Sequence, residues 1–511
     1  MTRSPSRAHA RLLLVSTYEL GQQPLGIAAP GAALRAAGHE VRGRDLSLAP
    51  LEPEDLEWAD AVVCSVPMHT ALRLALATLS ELRRLRPGLR VALHGLYAPV
   101  GAPSLRPGDL AVAGETEDAL CEWAASLSAS GLPAPGLRNP GPGAAGRDGP
   151  VVRVDIGRPL RSERTARGGT SLPDRALAPS LDRYARLVSS GPDRLVAGVE
   201  SSRGCSHRCS HCPVPTVYRG RTRVVPVADV LADVDQVVAA GAGHVHFADP
   251  DFLNRPEHAR RVARALHERH PRVSFDATIK VSHVLAYRDV VEELARCGCA
   301  FVVSAFESTS DRVLEALAKG HRSDDAAEAV RVLRSAGIEP RPSFLPFTPW
   351  TRLPDVVELL DFVAESDLVE SVDAVQYGIR LLLPPGSLLL AAPDETLARA
   401  LRSYDEDALG WRWESEDPRL DDLQQSFARR TELAAERDEP AAETYAAVRS
   451  LAFEALGQPD HGVPRPLTRA RPGARPRLSE SWFCCAEPTR SQVVVATSVA
   501  ARGAPRPRSC G

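Results

Sequence analysis

The chain has 511 residues, 44 % of them hydrophobic and 25 % charged, and a formal net charge of −3. That length suits two or three domains, and the small charge argues against the strong field of a nucleic-acid- or membrane-binding protein. Ten cysteines in so long a chain do not make a secreted disulfide framework. After a polar, basic start only Leu12 to Val15 is continuously apolar, which reads as a strand rather than a signal-peptide core, and no run nears the roughly 20 apolar residues that span a bilayer. A soluble protein of a reducing compartment, the cytoplasm, is expected.

Residues 11 to about 128 alternate strands and helices. Strands are predicted at 11–16, 40–44, 60–65, 90–94 and 110–113, with a helix over 25–37 that stops at Gly38 and another carried by Leu72, Leu76, Leu79 and Leu82 at helical spacing. The pattern is an α/β, doubly wound, Rossmann-like parallel sheet, a class that binds ligands at the carboxyl ends of its strands. Those ends carry Thr17, Tyr18 and Glu19, then Ser65 and His69, Gly95 and Tyr97, and Gly114 with Glu115. No G-x-G-x-x-G follows the first strand, which argues against a dinucleotide. His69 reads either as a metal ligand or as a loop histidine bonded to backbone or water.

Residues 126–150, rich in Gly, Pro, Ala and Ser, read as a flexible linker. An edge strand at 151–156 and an amphipathic lead-in at 181–187 follow. From 195 to about 390 a second β-α alternation runs unbroken, with strands at 195–199, 244–248, 274–280, 300–304, 339–345 and 374–382. Helices at 227–240, 257–270, 288–297, 311–319 and 324–336 lie between them, and Gly241, Gly298, Gly320 and Gly337 stop four of the five. Six units predict a partial (β/α)6 barrel, with active residues at the strand carboxyl ends. Those ends carry Asp249, Asp251, Lys280, Glu307, Ser308, Arg341 and Tyr377. Asp251 and Ser308 or Ser310 also suit helix N-caps, and Lys280 and Arg341 suit either a substrate carboxylate or phosphate or a neighbouring acid. Cys297 and Cys299 read as ordinary core thiols.

The most informative stretch follows the first strand of this second alternation: Glu200-Ser-Ser-Arg203-Gly204-Cys205-Ser-His-Arg-Cys209-Ser-His-Cys212. Thiolates at C-x-x-x-C-x-x-C spacing favour zinc or an iron–sulfur cluster. A closed site wants four ligands. Either His207 or His211 completes a zinc site, or three thiolates hold a cubane with one iron open.

Beyond 395 the pattern turns helical, at 395–404, 420–436 and 441–456, and a Pro/Arg-rich tether over 457–477 leads to Trp482-Phe483-Cys484-Cys485-Ala-Glu-Pro488.

The three-cysteine loop after a first strand, with Arg203 and Gly204 before it, resembles the radical S-adenosylmethionine superfamily. One departure is His211, where that family often has an aromatic residue. The resemblance implies a [4Fe–4S] cluster on Cys205, Cys209 and Cys212 whose open iron chelates the methionine moiety of S-adenosylmethionine. Reduction then yields a 5′-deoxyadenosyl radical, with an electron supplied by a partner such as flavodoxin or ferredoxin. A doubly wound domain in front resembles the cobalamin-binding class of that superfamily. It implies a corrinoid near Ser65, His69, Gly95, Tyr97, Gly114 and Glu115, without the D-x-H-x-x-G signature of a cobalt-ligating histidine. The same resemblance puts Asp249, Asp251, Glu307 and Ser308 around S-adenosylmethionine. The tail resembles the CCAEP (or selenocysteine, CUAEP) subgroup and implies reactive thiols at Cys484 and Cys485. The expected domains are 1–128, cobalamin-binding; 129–194, linker and lead-in; 195–392, radical barrel; and 393–511, helical extension and tail. The function implied is methylation or another radical modification of a small molecule. The alternative is a non-catalytic corrinoid- or redox-sensing metal protein.

Overall fold

The computed structural model describes residues 9–129, 150–155, 172–466 and 475–480, with positions 492, 494, 495 and 498 beyond them. Two compact units meet in sequence at Arg183 and Tyr184. The first begins with β1 (Arg11–Ser16), α1 (Leu25–Ala36), β2 (Glu40–Asp45), α2 (Pro53–Trp58), β3 (Ala61–Ser65) and α3 (His69–Leu85). It continues through β4 (Arg90–His94), α4 (Ala98–Gly101), β5 (Leu110–Gly114), α5 (Glu117–Ala129) and β6 (Val151–Asp155). All six strands pair in parallel in the order β2-β1-β3-β4-β5-β6. Helices cover both faces of such a sheet, which is why β1 and β3 are apolar runs rather than alternating ones. Leu12, Leu14, Ile27, Leu34, Val63, Val112 and Trp123 form one buried cluster.

The strand order reverses between β1 and β3, and in open parallel sheets that reversal opens a crevice at the carboxyl ends of the strands. Glu19 stands there, accepting the Ser65 hydroxyl at 3.1 Å and the Gly26 N–H at 3.1 and 3.2 Å. Burial, outweighing those donors, raises its pKa from the ordinary 4.5 to about 7. A carboxyl with a raised pKa holds its proton more tightly folded than unfolded. Its contribution is therefore full below about pH 4.5 and is lost as the pH climbs through about 7. Against a Glu19→Gln variant, which cannot ionise, the wild type should lose up to about 3 kcal/mol of relative stability between about pH 5 and pH 8. Paired thermal unfolding at the two pH values reads this directly, and a pH-independent difference contradicts it.

The second unit contains β7 (Arg186–Val188), β8 (Arg194–Val199), β9 (Ser202–Gly204), α6 (Val214–Tyr218), β10 (Thr222–Val224), α7 (Val227–Ala239), β11 (His244–Phe247), α8 (Pro256–Arg269) and β12 (Ser274–Thr278). After these come α9 (Val281–Ala286), α10 (Arg288–Arg296), β13 (Cys299–Glu307), α11 (Asp311–Ala316), α12 (Ser323–Ala336), β14 (Glu339–Phe344) and α13 (Leu353–Glu365). The extension adds α14 (Leu388–Ala391), α15 (Glu395–Ala400), β15 (Leu401–Asp405), β16 (Gly410–Trp413), α16 (Pro418–Glu436), α17 (Ala441–Leu456) and β17 (Arg477–Leu478). The main sheet runs β14-β13-β12-β11-β8-β7-β17. Its first five strands are parallel, the half-barrel expected, and β7 and β17 join through antiparallel pairings.

Two expectations are corrected. The sixth barrel strand at 374–382 does not form. Residues Ala374–Gly378 make a 3-10 turn, and one parallel bridge, Phe347 to Arg380, is all that follows. The Gln376 side chain takes the Phe344 N–H at 3.2 Å, occupying the edge of β14 that a further strand needs, while Arg380 is drawn to Asp421 at 2.6 Å. The helix at 395–404 ends at Ala400 and becomes a β-hairpin, because Asp405 caps the turn at Asp407 and Ala408 and Tyr404 meets Trp411 across the strands. The lead-in at 181–187 is a 3-10 turn followed by β7. The end of the tether, as β17, pairs with β7. Cys484 and Cys485 lie outside the described residues.

Candidate active site at the mouth of the second sheet

The three-cysteine loop is held on both sides. β9, just before Cys205, pairs antiparallel with β10, so loop and α6 form a closed excursion between two paired strands. Gly204 sits at φ +79°, and a Cβ there would stand 2.3 Å from the Arg221 carbonyl oxygen. Only glycine fits that close approach. Behind the loop, Asp249 at the end of β11 accepts the Ser201 N–H at 2.8 Å and the hydroxyls of Ser201 and Ser202 at 2.7 and 2.5 Å. Burial raises its pKa to about 6 in spite of those donors. His258 adds a bond to the Ser201 carbonyl at 3.1 Å. Asn254 accepts from the Ser206 N–H at 3.0 Å, its hydroxyl at 2.7 Å and the Cys205 thiol at 3.6 Å. On the far side Ser210 bonds the Leu317 and Ala316 carbonyls.

Two lysines face the thiols. Lys319, buried, donates to Glu307 at 3.0 Å, and Glu307 lies 3.2 Å from His211 Nε2. Burial works against the Glu307 anion, but Lys319 and His211 outweigh it and hold the carboxyl well below the usual range. Lys280 lies 3.1 Å from His207 Nδ1, His207 Nε2 is 3.1 Å from His283 Nε2, and His283 Nδ1 is 2.7 Å from Asp251. Burial pushes the Cys212 thiol up to about 12, so the bare loop favours thiols and a metal is what would hold them as thiolates. A cluster fits this setting. The donors are soft, Lys280 and Lys319 interact with the cysteine side chains, and His211 Nδ1 is buried without a partner among the described residues, an orphan that a group in the loop would satisfy. Of the two histidines of the zinc alternative, His211 has Nε2 engaged by Glu307, and His207 has both ring nitrogens engaged, by Lys280 and His283.

Two of the sequence-predicted residues carry structural duties. Asp251 accepts the Leu253 N–H at 3.2 Å and so caps the turn Phe252–Asn254, not α8. Ser308 Oγ accepts the Ser310 N–H at 3.1 Å, and Ser310, at the N-cap of α11, makes no side-chain cap bond. Arg341 pairs with Asp373 at 2.7 Å. In the first unit, Ser65, His69, Gly95, Tyr97, Gly114 and Glu115 all lie at or just beyond strand carboxyl ends. The His69 ring meets the Tyr97 ring edge-on at 5.9 Å. Gly95, at φ +116°, brings its turn so near Val66 that a Cβ would stand 2.9 Å from that backbone. The sequence reading missed Asn254, His283 and Lys319, none of which stands in a recognisable motif.

Two family models match the chain: the B12 binding domain over residues 11–124 and the radical SAM superfamily over 199–363. The chain carries a B12-binding domain followed by a radical SAM domain. Curated relatives include a tRNA-2-methylthio-N(6)-dimethylallyladenosine synthase of Idiomarina loihiensis, 26 % identical over 42 % of this chain and 46 % of the relative. A hopanoid C-2 methylase of Rhodopseudomonas palustris is 27 % identical over 28 % of each chain. The chain thus spans less than half the length of these relatives. Among solved structures, the cobalamin-dependent S-adenosylmethionine radical enzyme OxsB, with aqua-cobalamin and S-adenosylmethionine bound, superposes with a TM-score of 0.60 at 14 % identity, covering 82 % of this chain and 66 % of that one. The radical S-adenosylmethionine methyltransferase TsrM of Kitasatospora setae, with tryptophan and a SAM analogue, gives 0.53 at 20 % identity over 70 % and 71 %. The radical SAM domain implies a [4Fe–4S] cluster and S-adenosylmethionine, and the B12-binding domain implies cobalamin. The radical SAM match begins at Val199, the last residue of β8, and so takes in the three-cysteine loop.

Gly204→Ala should damage the cluster loop specifically, since both the positive φ and the Arg221 carbonyl oppose a Cβ. Anaerobically reconstituted variant protein should hold less than about half the wild-type iron, with the first unit still folded by circular dichroism. Wild-type iron content would show that the loop tolerates the methyl group.

Proposed function

We propose that the chain is a cobalamin-dependent radical S-adenosylmethionine enzyme that modifies a small molecule, by methylation or another radical transformation. The observation that carries this is the three-thiol loop flanked by Lys280 and Lys319, in a chain that also holds a B12-binding domain. When bound, the cluster supplies one electron to S-adenosylmethionine, and cobalamin serves as methyl carrier or electron partner. The chain's own residues position and shield these groups. Cys205, Cys209 and Cys212 hold the cluster, and Asp249 fixes the loop through Ser201 and Ser202. Asp251, Glu307 and Ser308 line the side on which S-adenosylmethionine docks. Ser65, His69, Gly95, Tyr97, Gly114 and Glu115 form the corrinoid side of the first sheet, with no protein histidine on cobalt. The presence of both domains in one chain favours catalysis over a sensing role. A cytoplasmic flavodoxin or ferredoxin is the reductant we infer.

The reduced, reconstituted protein incubated with S-adenosylmethionine should release 5′-deoxyadenosine, and Cys205→Ala should lower that release at least about a hundredfold. Intact cluster with no 5′-deoxyadenosine contradicts the proposal.

We also assign the CCAEP tail, Cys484 and Cys485, to the same chemistry as reactive thiols apart from the cluster ligands. Support comes from the direction of β17. β7 is antiparallel to both β8 and β17, so β17 runs with β8, and Ser479 bonds Arg186 at the level of Leu195. From there the carboxyl end of β8 is about 13 Å away, and the five residues from Ser479 to Cys484 reach up to about 17 Å. The Cys484→Ala/Cys485→Ala double variant should keep its iron and its 5′-deoxyadenosine formation. Loss of the cluster in that variant would instead make the tail a cluster ligand.

A further inference from the structure

The two faces of the second sheet differ in character. On one, Phe247 meets Phe275 at 5.5 Å, and Phe306 and Phe344 meet Phe362 of α13 at 6.1 and 6.4 Å. Side chains alternate along a strand, so the other parity points to the concave side. The register places His244 beside Ser274, His246 beside Asp276, and Val303 beside Arg341 on that side. A file of polar groups runs across it. Ser274 Oγ lies 2.6 Å from His244 Nδ1, His244 Nε2 is 2.8 Å from Asp276 Oδ1, and Asp276 Oδ2 is 2.7 Å from His246 Nδ1.

His244 and Asp276 are fully buried, whereas the His246 side chain is 19 % exposed. No described residue bonds its Nε2. Ser274 and His244 close one end of the file; His246 brings a second imidazole to the other carboxylate oxygen and leaves one ring nitrogen open. A carboxylate on Nδ1 fixes the tautomer so that neutral imidazole presents its lone pair at Nε2, and it stabilises the cation once a proton arrives. Burial opposes that cation, but Asp276, with Asp249 beyond it, outweighs the penalty and raises the His246 pKa. On the same face Arg341 is 6 % exposed. Its Nη2 is on Asp373, and its Nη1 is buried with no partner among the described residues. A buried donor left unmade is costly, and a guanidinium fork suits a carboxylate or phosphate.

We propose that, on this concave face, His246 exchanges a proton with the substrate and Arg341 binds a carboxylate or phosphate of the same molecule. In the proton step an N–H or O–H of the substrate gives its proton to His246 Nε2. The bonding pair stays on the substrate heteroatom, Asp276 holds the imidazolium, and no electron changes owner. The inference rests on the enzymatic reading above, but its test needs no turnover, so either can fail alone.

The probes are bromoacetate, 4-bromobutyrate and 6-bromohexanoate, each beside its neutral amide, acting on the holoenzyme. The Nε2 lone pair displaces bromide, which leaves with the bonding pair as the N–C bond forms. Peptide mass spectrometry separates a His246 adduct from cysteine adducts. At least one acid should label His246 about tenfold faster than its amide, and Arg341→Gln should erase that preference. Asp276→Asn, with cluster iron retained, should slow labelling about tenfold; if that variant loses its iron, the acid–amide ratios in wild type and Arg341→Gln decide alone. Protection by inorganic phosphate but not acetate assigns a phosphate, and the reverse a carboxylate. Equal labelling by acid and amide at every length, or an unlabelled His246 while other histidines react, overturns the proposal.

Discussion

The buried carboxylate of Asp249 ties together the two strand ends on which the candidate site rests. It closes β11, and both its oxygens are taken up by Ser201 and Ser202, which lead from β8 into the cysteine loop. A loop bearing three thiols gains little from apolar burial, so its shape depends on such polar ties, each satisfied away from water. Asn254 and His258, from the segment after the same strand, repeat the pattern. The loop's geometry is thus set by β11 as much as by the strand it follows.

This arrangement also separates charge. The lysines and the cysteine loop lie at the mouth, with Glu307 held as an anion by Lys319 and His211. On the concave side, Asp276 bridges His244 and His246 through its two carboxylate oxygens. One site is organised to hold a soft metal group and the other to hold a proton. A radical transformation of a polar small molecule calls on both capacities.

Much of this was legible in the sequence. Apolar runs such as Leu12 to Val15 announce doubly covered strands, and glycines after helices mark where those helices stop, so both sheets and the C-x-x-x-C-x-x-C loop were readable. The sixth barrel strand was misread because its apolar run suits a strand. What decides against it is the Gln376 side chain reaching the Phe344 amide, a tertiary contact with no local signature. The hairpin at 401–413 was hidden for a related reason: helical composition in α15 continues into residues that pair only because Trp411 and Trp413 return to meet them. In the site, the cysteines announce themselves by spacing. Lys319 does not, because its partner Glu307 ends β13 and all of α11 lies between the two in sequence. The histidine file was equally invisible, since its members are distant in sequence and become neighbours only through parallel register.

In the function proposed here, Cys205, Cys209 and Cys212 hold a cubane with one iron open to S-adenosylmethionine. Electron–nuclear double resonance on the reduced cluster, with S-adenosylmethionine carrying 15N in its amino group and 17O in its carboxylate, tests it most directly. Hyperfine coupling from both labels to the cluster spin is expected, and its loss in Cys209→Ala. A reduced four-iron cluster that shows neither coupling with the cofactor at saturation would contradict it.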